Sequence, residues 1–280
     1  MLNIGLNTLP ALLAPRAPDS HKGDFGAVGV LGGAPGLGGA ALLAARAALA
    51  CGAGRVYLGV LDERIAVDPL APELMIGTPD RLLKLPVPAC LVAGPGLGGS
   101  SAAREWLRAA LPLDHGLLLD ADALNQIAGE ADLLALIRAR TAPTLITPHP
   151  GEAGRLLTET TDWVQSHREQ AVERLVDLTG ATVALKGSGT LVRHPGGPLW
   201  RNTTGNPGMA APGMGDVLSG IIAALLVQGL TPEQAALAGV WLHGSAGDAL
   251  VASGVGPVGL AASELIASAR KLLNASLVTR

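Results

Sequence analysis

The chain has 280 residues, enough for one large or two modest domains. Its formal net charge of −3 offers no basic excess to a phosphate backbone, which argues against a nucleic-acid partner. Hydrophobic residues make up 49% and charged ones 15%, a composition that excludes a disordered chain.

In chain order, short apolar runs alternate with helix-like stretches. Ala27–Leu31 is an apolar run ending in Gly32-Gly33, as buried parallel strands do. A helix is expected over Gly39–Ala50, then strands over Val56–Leu61 and Ala89–Ala93, a helix over Ser101–Leu111 and a strand over Gly116–Leu119. A helix over Ala131–Arg140 precedes strand Thr144–Thr147, helices Gly151–Leu157 and Arg168–Thr179, and strand Thr182–Leu185. The alternation implies an α/β fold, a mostly parallel central sheet with helices on both faces. The remainder predicts three helices, Asp216–Gln228, Pro232–Ala252 and Gly259–Leu273. No linker divides the chain, so residues 1–280 are expected to form a single domain.

Two cysteines, Cys51 and Cys90, are too few for a disulfide framework or metal cluster and read as buried thiols in a reducing setting. Met1–Pro18 lacks the charged start and apolar core of a signal peptide. Apolar runs such as Ile221–Val227 fall short of the ~20 residues that span a bilayer. A cytoplasmic location without membrane contact is the expectation.

The strongest local signal is Asn206-Pro-Gly-Met-Ala-Ala-Pro-Gly213-Met-Gly215-Asp216, running into Val217-Leu-Ser-Gly-Ile-Ile. Glycines before a helix leave its first N–H groups bare and let an anion approach, aided by the helix dipole. An aspartate there makes chemical sense if it takes a proton from a hydroxyl attacking phosphorus. The plainer reading is an acidic residue at a helix start. Lys186-Gly187-Ser188-Gly189-Thr190 follows a core strand and either holds phosphate or ribose oxygens or forms a hairpin turn with a solvated lysine.

Thr147-Pro-His149-Pro-Gly-Glu152 ends a strand and opens a helix; His149 is placed to donate to a ligand, and without a second histidine nearby a zinc site is not expected. Asp120-Ala-Asp122-Ala-Leu-Asn125 either holds a hydrated Mg²⁺ or caps the next helix. His21-Lys-Gly-Asp24 reads as a polar loop, His243 as a hydrogen-bonded core histidine, and Trp106, Trp163, Trp200 and Trp241 as packing. Pro35-Gly-Leu-Gly-Gly-Ala40 and Pro95-Gly96-Leu-Gly98-Gly-Ser100 repeat one turn at two strand ends. The first fits G-x-G-x-x-A over Gly36–Ala41, with Asp62 closing the next strand, a dinucleotide-fingerprint spelling that raises an oxidoreductase as a rival. A Walker A loop is absent.

Taken together and in this order, His21–Asp24, Gly94–Gly98, Asp120–Asn125, Thr147–Glu152, Lys186-Gly187 with Thr190, and Gly205–Gly220 closely resemble the ADP/ATP-dependent NAD(P)H-hydrate dehydratase family. The resemblance spans about residues 20–270. It implies a ribokinase-like three-layer sandwich. It also implies ADP-dependent dehydration of the S-epimer of hydrated NADH or NADPH (NADHX, NADPHX), releasing AMP and phosphate through phosphorylation of the C6 hydroxyl. It carries Asp216 over as the catalytic residue, with Ala40, Gly96, Gly98, His149 and Asp216 at the hydrated dinucleotide. Lys186, Gly187, Ser188, Gly189, Thr190, Asn206, Gly213, Met214 and Gly215 fall at the nucleotide, and no residue is assigned to a metal. Mg²⁺, ADP as co-substrate with ATP as the alternative, and a homotetramer follow from the same resemblance. The sequence departs from the family at Ala34-Pro35, where a serine-containing turn is usual, and at Ala211-Pro212. An epimerase domain, common in relatives, is absent from these residues, so that activity is expected in trans or on a removed segment. The rival within the fold is a vitamin or sugar kinase; a non-catalytic nucleotide sensor is a further one.

Overall fold

A computed structural model describes residues 1–9, 15–86 and 89–278. Its strands are β1 (Leu2–Ile4), β2 (Ala27–Gly32), β3 (Arg55–Val60), β4 (Met75–Gly77), β5 (Cys90–Ala93), β6 (Gly116–Leu119), β7 (Thr144–Ile146), β8 (Thr182–Leu185), β9 (Leu191–Arg193) and β10 (Leu199–Asn202). The helices that carry the argument are α1 (Gly38–Ala50), α2 (Pro79–Leu83), α3 (Ser101–Ala110), α4 (Ala121–Ala128), α5 (Ala131–Arg138), α6 (Pro150–Leu157), α7 (Thr161–Ser166), α8 (Arg168–Thr179), α9 (Met214–Val227), α10 (Pro232–Ala252) and α11 (Ala262–Val278).

The strands form one sheet in the order β1-β10-β9-β8-β7-β6-β5-β2-β3-β4, parallel from β8 through β4 and antiparallel where β9 meets β8 and β10. Each central strand is apolar on both sides because both sides are covered. Val28, Val30, Val92, Leu118, Leu145 and Ala184 pack with α1, α9, α10 and α11. Their neighbours Leu31, Leu91, Ala93, Leu117, Leu119, Ile146 and Val183 point to the opposite layer, with α3 through α6 and α8. The strand period of two thus divides one apolar run between two cores.

The expected α/β architecture is present, and the three C-terminal helices form one layer. Short elements escape the sequence reading: β1, β4 and β10 have three or four residues, and α2 and α7 five and six, too few to show a period. The last helix starts at Ala262 rather than Gly259, whose φ of +80° lies outside the helical region. Cys51 and Cys90 are buried, and burial pushes both thiols up to about 12. Among the described residues no helix is long and apolar enough to cross a membrane.

The start of α9 is held in place by its contact with α1. A Cβ on Gly220 would lie 2.1 Å from the Ala44 carbonyl oxygen and 2.8 Å from Ala47, so only glycine lets the two backbones approach this closely. Gly220→Val is expected to destabilise the protein by about 3 kcal/mol through overpacking. Thermal unfolding checks this, with Gly39→Ala, where a Cβ meets nothing within 4 Å, as the control expected to stay at or above wild type.

Candidate active site

Adjacent strands deliver the site at their carboxyl ends, where open parallel sheets bind ligands. The backbone ladder continues one residue past the strands: Gly94 N–H donates to Leu31 O, Asp120 N–H to Ala93 O, Thr147 N–H to Leu119 O, and Lys186 N–H to Pro148 O. Asp120, Thr147 and Lys186 therefore sit at fixed heights along one edge, with His149 two residues beyond Thr147. Ala121 follows Asp120 with φ +48°, a left-handed conformation costing about 1–2 kcal/mol for a residue bearing Cβ. The local strain marks where the chain leaves β6 for α4.

Lys186 turns inward. Its ammonium lies 2.5 Å from Asp120 Oδ1 and 3.7 Å from Glu152 Oε2; its side chain is 17% exposed and that of Asp120 1%. The turn after β8 is a hairpin, as one of the two readings holds, but the lysine is not solvated. Asp120 Oδ1 also accepts the Ala121 N–H, and Oδ2 accepts the Ser219 hydroxyl at 2.7 Å. Burial alone would pull the Lys186 ammonium down, yet Asp120 and Glu152 hold it above its ordinary value. Asp120 is thus a helix cap and an ion-pair partner, with both oxygens engaged by protein donors.

His149 caps α6. Its Nδ1 accepts the N–H groups of Gly151 and Glu152, while Glu152 Oε2 accepts the His149 N–H at 2.7 Å. An accepting Nδ1 assigns the proton to Nε2, which stands 3.2 Å from Glu152 Oε1. Burial, then Lys186 and Arg155, hold His149 below its ordinary value, so the half-exposed ring is neutral. Burial raises Glu152, with Lys186 opposing.

The two repeated glycine turns lie side by side because β2 and β5 are neighbours. Gly33 N–H donates to Pro95 O and Ala34 N–H to Gly96 O. Asp122 reaches across from α4 and accepts the Gly98 N–H at 2.8 Å, and Gln126 donates to Gly98 O. Gly96 rests against Leu37 and Ala40, which brings these substrate candidates into one ridge. The G-x-G-x-x-A spelling is thereby accounted for by turn packing. Asp62, its supposed acidic partner, takes the Arg64 guanidinium on both carboxylate oxygens.

Asp216 lies in the first turn of α9. Gly213 precedes that helix with φ +86°, and a Cβ there would meet Leu43 Cδ1 at 2.5 Å, so glycine is required on both counts. His243 Nε2 lies 2.9 Å from Met214 O and donates to it; burial pushes this histidine down to about 4, leaving it a neutral donor that steadies the turn. Gly215 lies against Lys186 Nζ and Asp120. Burial, then the charge of Asp120, raises Asp216 to about 7; Lys186 offsets this in part, and Asp122 and Glu152 add to it. The cluster has more carboxylates than cations, and Asp216 carries the imbalance.

The Gly187–Thr190 turn is held from outside. Arg168 donates to the carbonyls of Leu185 and Lys186, Thr190 donates to Gly187 O, and the Arg201 guanidinium lies against Gly189. Ser188 is exposed on the turn. Asn206 does not face the cluster: its amide accepts from Gly208 N–H and donates to Asp248, shaping the loop that leads to Gly213. His21 and Asp24 pair with each other on the surface, 3.0 Å apart. The sequence reading missed Arg168, Ser219 and Gln126, which act through backbone or buried contacts and carry no motif of their own.

Among the described residues, no three His, Cys, Asp or Glu side chains gather as a metal cage. With Asp120 fully engaged, the donor set suits an ion that arrives on nucleotide phosphates and keeps its waters, the usual habit of Mg²⁺.

The mostly parallel sheet, with a glycine-led helix and Asp216 at its carboxyl edge, is a ribokinase-like fold. The ADP/ATP-dependent NAD(P)H-hydrate dehydratase of Bacillus subtilis, co-crystallised with ATP and Mg²⁺, shares it at TM-score 0.81 and 27% identity, covering 94% of each chain. The family model described as NAD(P)H-hydrate dehydratase matches residues 28–269, and the chain belongs to that family of hydro-lyases. The ADP-dependent (S)-NAD(P)H-hydrate dehydratase of Neisseria meningitidis serogroup B is 43% identical over 269 residues, 95% of this chain and 90% of its own. The bifunctional NAD(P)H-hydrate repair enzyme Nnr of Escherichia coli is 42% identical over 268 residues, and the match spans half of that longer protein.

Two stability measurements check the electrostatics. Lys186→Met leaves the buried Asp120 without its cation and is expected to cost about 3 kcal/mol, part of which Asp120→Asn in the same chain restores. For Asp216 the folded-state value lies above the unfolded one, so the folded state holds the extra proton and stability falls as pH rises from about 4 to about 7. Asp216→Asn should therefore raise the melting temperature by several degrees at pH 8 and leave it unchanged near pH 3.5.

Proposed function

We propose that this chain restores NADH and NADPH from their hydrates by moving the terminal phosphoryl group of ADP onto the C6 hydroxyl of the S-epimer and then eliminating phosphate. The observation that carries the reading is the half-buried Asp216 carboxyl, raised to about 7 beside the bare amides of Gly213–Gly215. A carboxylate with that affinity for a proton is matched to deprotonate an alcohol near neutral pH.

In the first step the C6 oxygen forms a bond to the β-phosphorus as Asp216 takes its proton. The bridging P–O bond breaks, and its electron pair leaves with AMP. The N–H groups at the start of α9 meet the charge on the transferring phosphoryl, and His243 holds them in place through Met214 O. Lys186 stands at the phosphate side of Asp216, and the Gly187–Thr190 turn supplies amides to the nucleotide. Mg²⁺ bound with the nucleotide would neutralise phosphate charge, with the Asp122 carboxylate as the nearby acidic partner.

In the second step the C6–O bond breaks toward phosphate, assisted by the ring-nitrogen lone pair, and loss of the C5 proton restores the dihydronicotinamide. Hydroxide is a poor leaving group at this pH and phosphate a good one, which is why a nucleotide is consumed. Neutral His149, with its proton on Nε2, and the Gly96–Gly98 ridge border the substrate side. The relationship to bifunctional repair enzymes supports an epimerase in trans that converts the other hydrate stereoisomer.

Incubating the protein with NADHX and ADP should yield NADH, AMP and phosphate in equal amounts, with ATP compared in parallel. A phosphorylated product that accumulates without NADH would instead select a small-molecule kinase. Asp216→Asn should lower kcat by at least ~100-fold while the protein stays folded. The wild-type rate should rise with pH through a limb near pH 7, as the base loses its proton.

A further inference from the structure

Beyond the reacting centre, the parallel strands run in the order β4-β3-β2-β5-β6-β7-β8, and their succession reverses between β2 and β5. In doubly wound sheets that reversal opens the crevice for a dinucleotide, whose adenosine end lies over the strands on the β2-β3-β4 side. Here the two glycine turns at the reversal are tied together by Gly33 N–H to Pro95 O and Ala34 N–H to Gly96 O. A cavity of about 580 Å³ lies directly beside this tie. Its lining includes Leu37 and Gly98 from the two turns, Glu63 after β3, Thr78 and Pro79 after β4, and Trp106 of α3. The volume falls within the range of small-molecule sites.

Three features of the lining fit an adenosine with an unmodified ribose. Trp106 is half-buried in the lining, and stacking of a base on such a ring is worth roughly tenfold or more in affinity. Glu63 stands just after β3, where an acidic side chain in dinucleotide sites takes the ribose 2′-hydroxyl. Asp62 is held by Arg64 and Asp80 is paired with Lys84 at 2.7 Å, so Glu63 is the carboxylate left for a ligand. The described lining carries no lysine or arginine, and because Lys84 offsets Asp80, Glu63 is the uncompensated charge that a 2′-phosphate would meet. The cavity of about 620 Å³ beside Asn125, Arg155 and Thr160 is less suited. It lies beside the C-terminal half of α6, beginning roughly 8 Å along the helix from His149.

We infer that the cavity beside the Gly33–Gly98 tie binds the adenosine half of the hydrated dinucleotide, with Trp106 under the base and Glu63 at the ribose selecting NADHX over NADPHX. This rests on the dehydratase reading and adds to it the placement and the preference. The adenosine in question belongs to the hydrate rather than to ADP, whose segment is Lys186–Thr190 on the other side of Asp216.

Steady-state kinetics with both hydrates and with ADP, on wild type, Trp106→Leu, Glu63→Lys and Thr158→Lys in the other cavity, tests this. Wild type should prefer NADHX by roughly tenfold or more in kcat/KM. Trp106→Leu should raise KM for NADHX by about tenfold and leave KM for ADP unchanged. Exposed Glu63→Lys should narrow or reverse the preference, and exposed Thr158→Lys should change neither. If Trp106→Leu moves KM for ADP, or Thr158→Lys alone moves KM for NADHX, the assignment is overturned while the dehydratase stands. If wild type fails to turn over NADHX with ADP, the proposed function fails, and the site is judged by NADH and NADPH titrations in saturating AMP, read by their own fluorescence. NADH binding that is tighter than NADPH binding and is weakened by Trp106→Leu supports the site; equal binding unaffected by the substitution overturns it.

Discussion

The contact between the Lys186 ammonium and Asp120 at the end of β6 organises the site. Two buried carboxylates, Asp120 and Glu152, face one lysine, so the cluster is short of positive charge before Asp216 is counted. Lys186 is committed to Asp120 by distance and by both electrostatic and hydrogen-bond attraction. What remains for Asp216 is a partly desolvated position beside other negative groups, and its proton affinity rises accordingly. A feature that is costly to stability leaves this acid in the range of a base, a trade found where sites are built for chemistry rather than for packing.

The backbone makes that trade possible. After β6, β7 and β8 the ladder continues beyond the apolar run, so Asp120, Thr147 and Lys186 land at the same edge. The glycine turns then close the gap between β2 and β5, and Asp122 locks them from α4. On the other side, Gly220 lets α9 settle on α1, which sets the height of Gly213–Asp216 over Lys186. The glycine ridge, the charge cluster and the Gly187–Thr190 turn therefore belong to one edge.

Much of this was legible in the residues. Apolar runs of four to six residues revealed the central strands, and the motifs at their ends marked Asp120, His149, Lys186 and Asp216 without showing how they met. Periodicity could not reveal β1, β4 or α2, each shorter than two turns or two pleats. Nor could spelling decide between a solvated and a buried Lys186, because that depends on Asp120, 66 positions away. Ser219 and Arg168 escaped for the same reason: their roles lie in contacts with Asp120 and with the carbonyls of a distant turn. The G-x-G-x-x-A run misled only toward an oxidoreductase, because a tight turn against a neighbouring turn demands the same small residues as one against a pyrophosphate.

The central claim is that crowding by carboxylates, only partly relieved by Lys186, lifts one acid into the range of a physiological base. Carbon-13 NMR titration of the aspartate carboxyls, with the Asp216 signal assigned by its disappearance in Asp216→Asn, measures this directly. A midpoint near 7 for Asp216 is the predicted result. A midpoint near the ordinary aspartate value of about 4 would contradict the account.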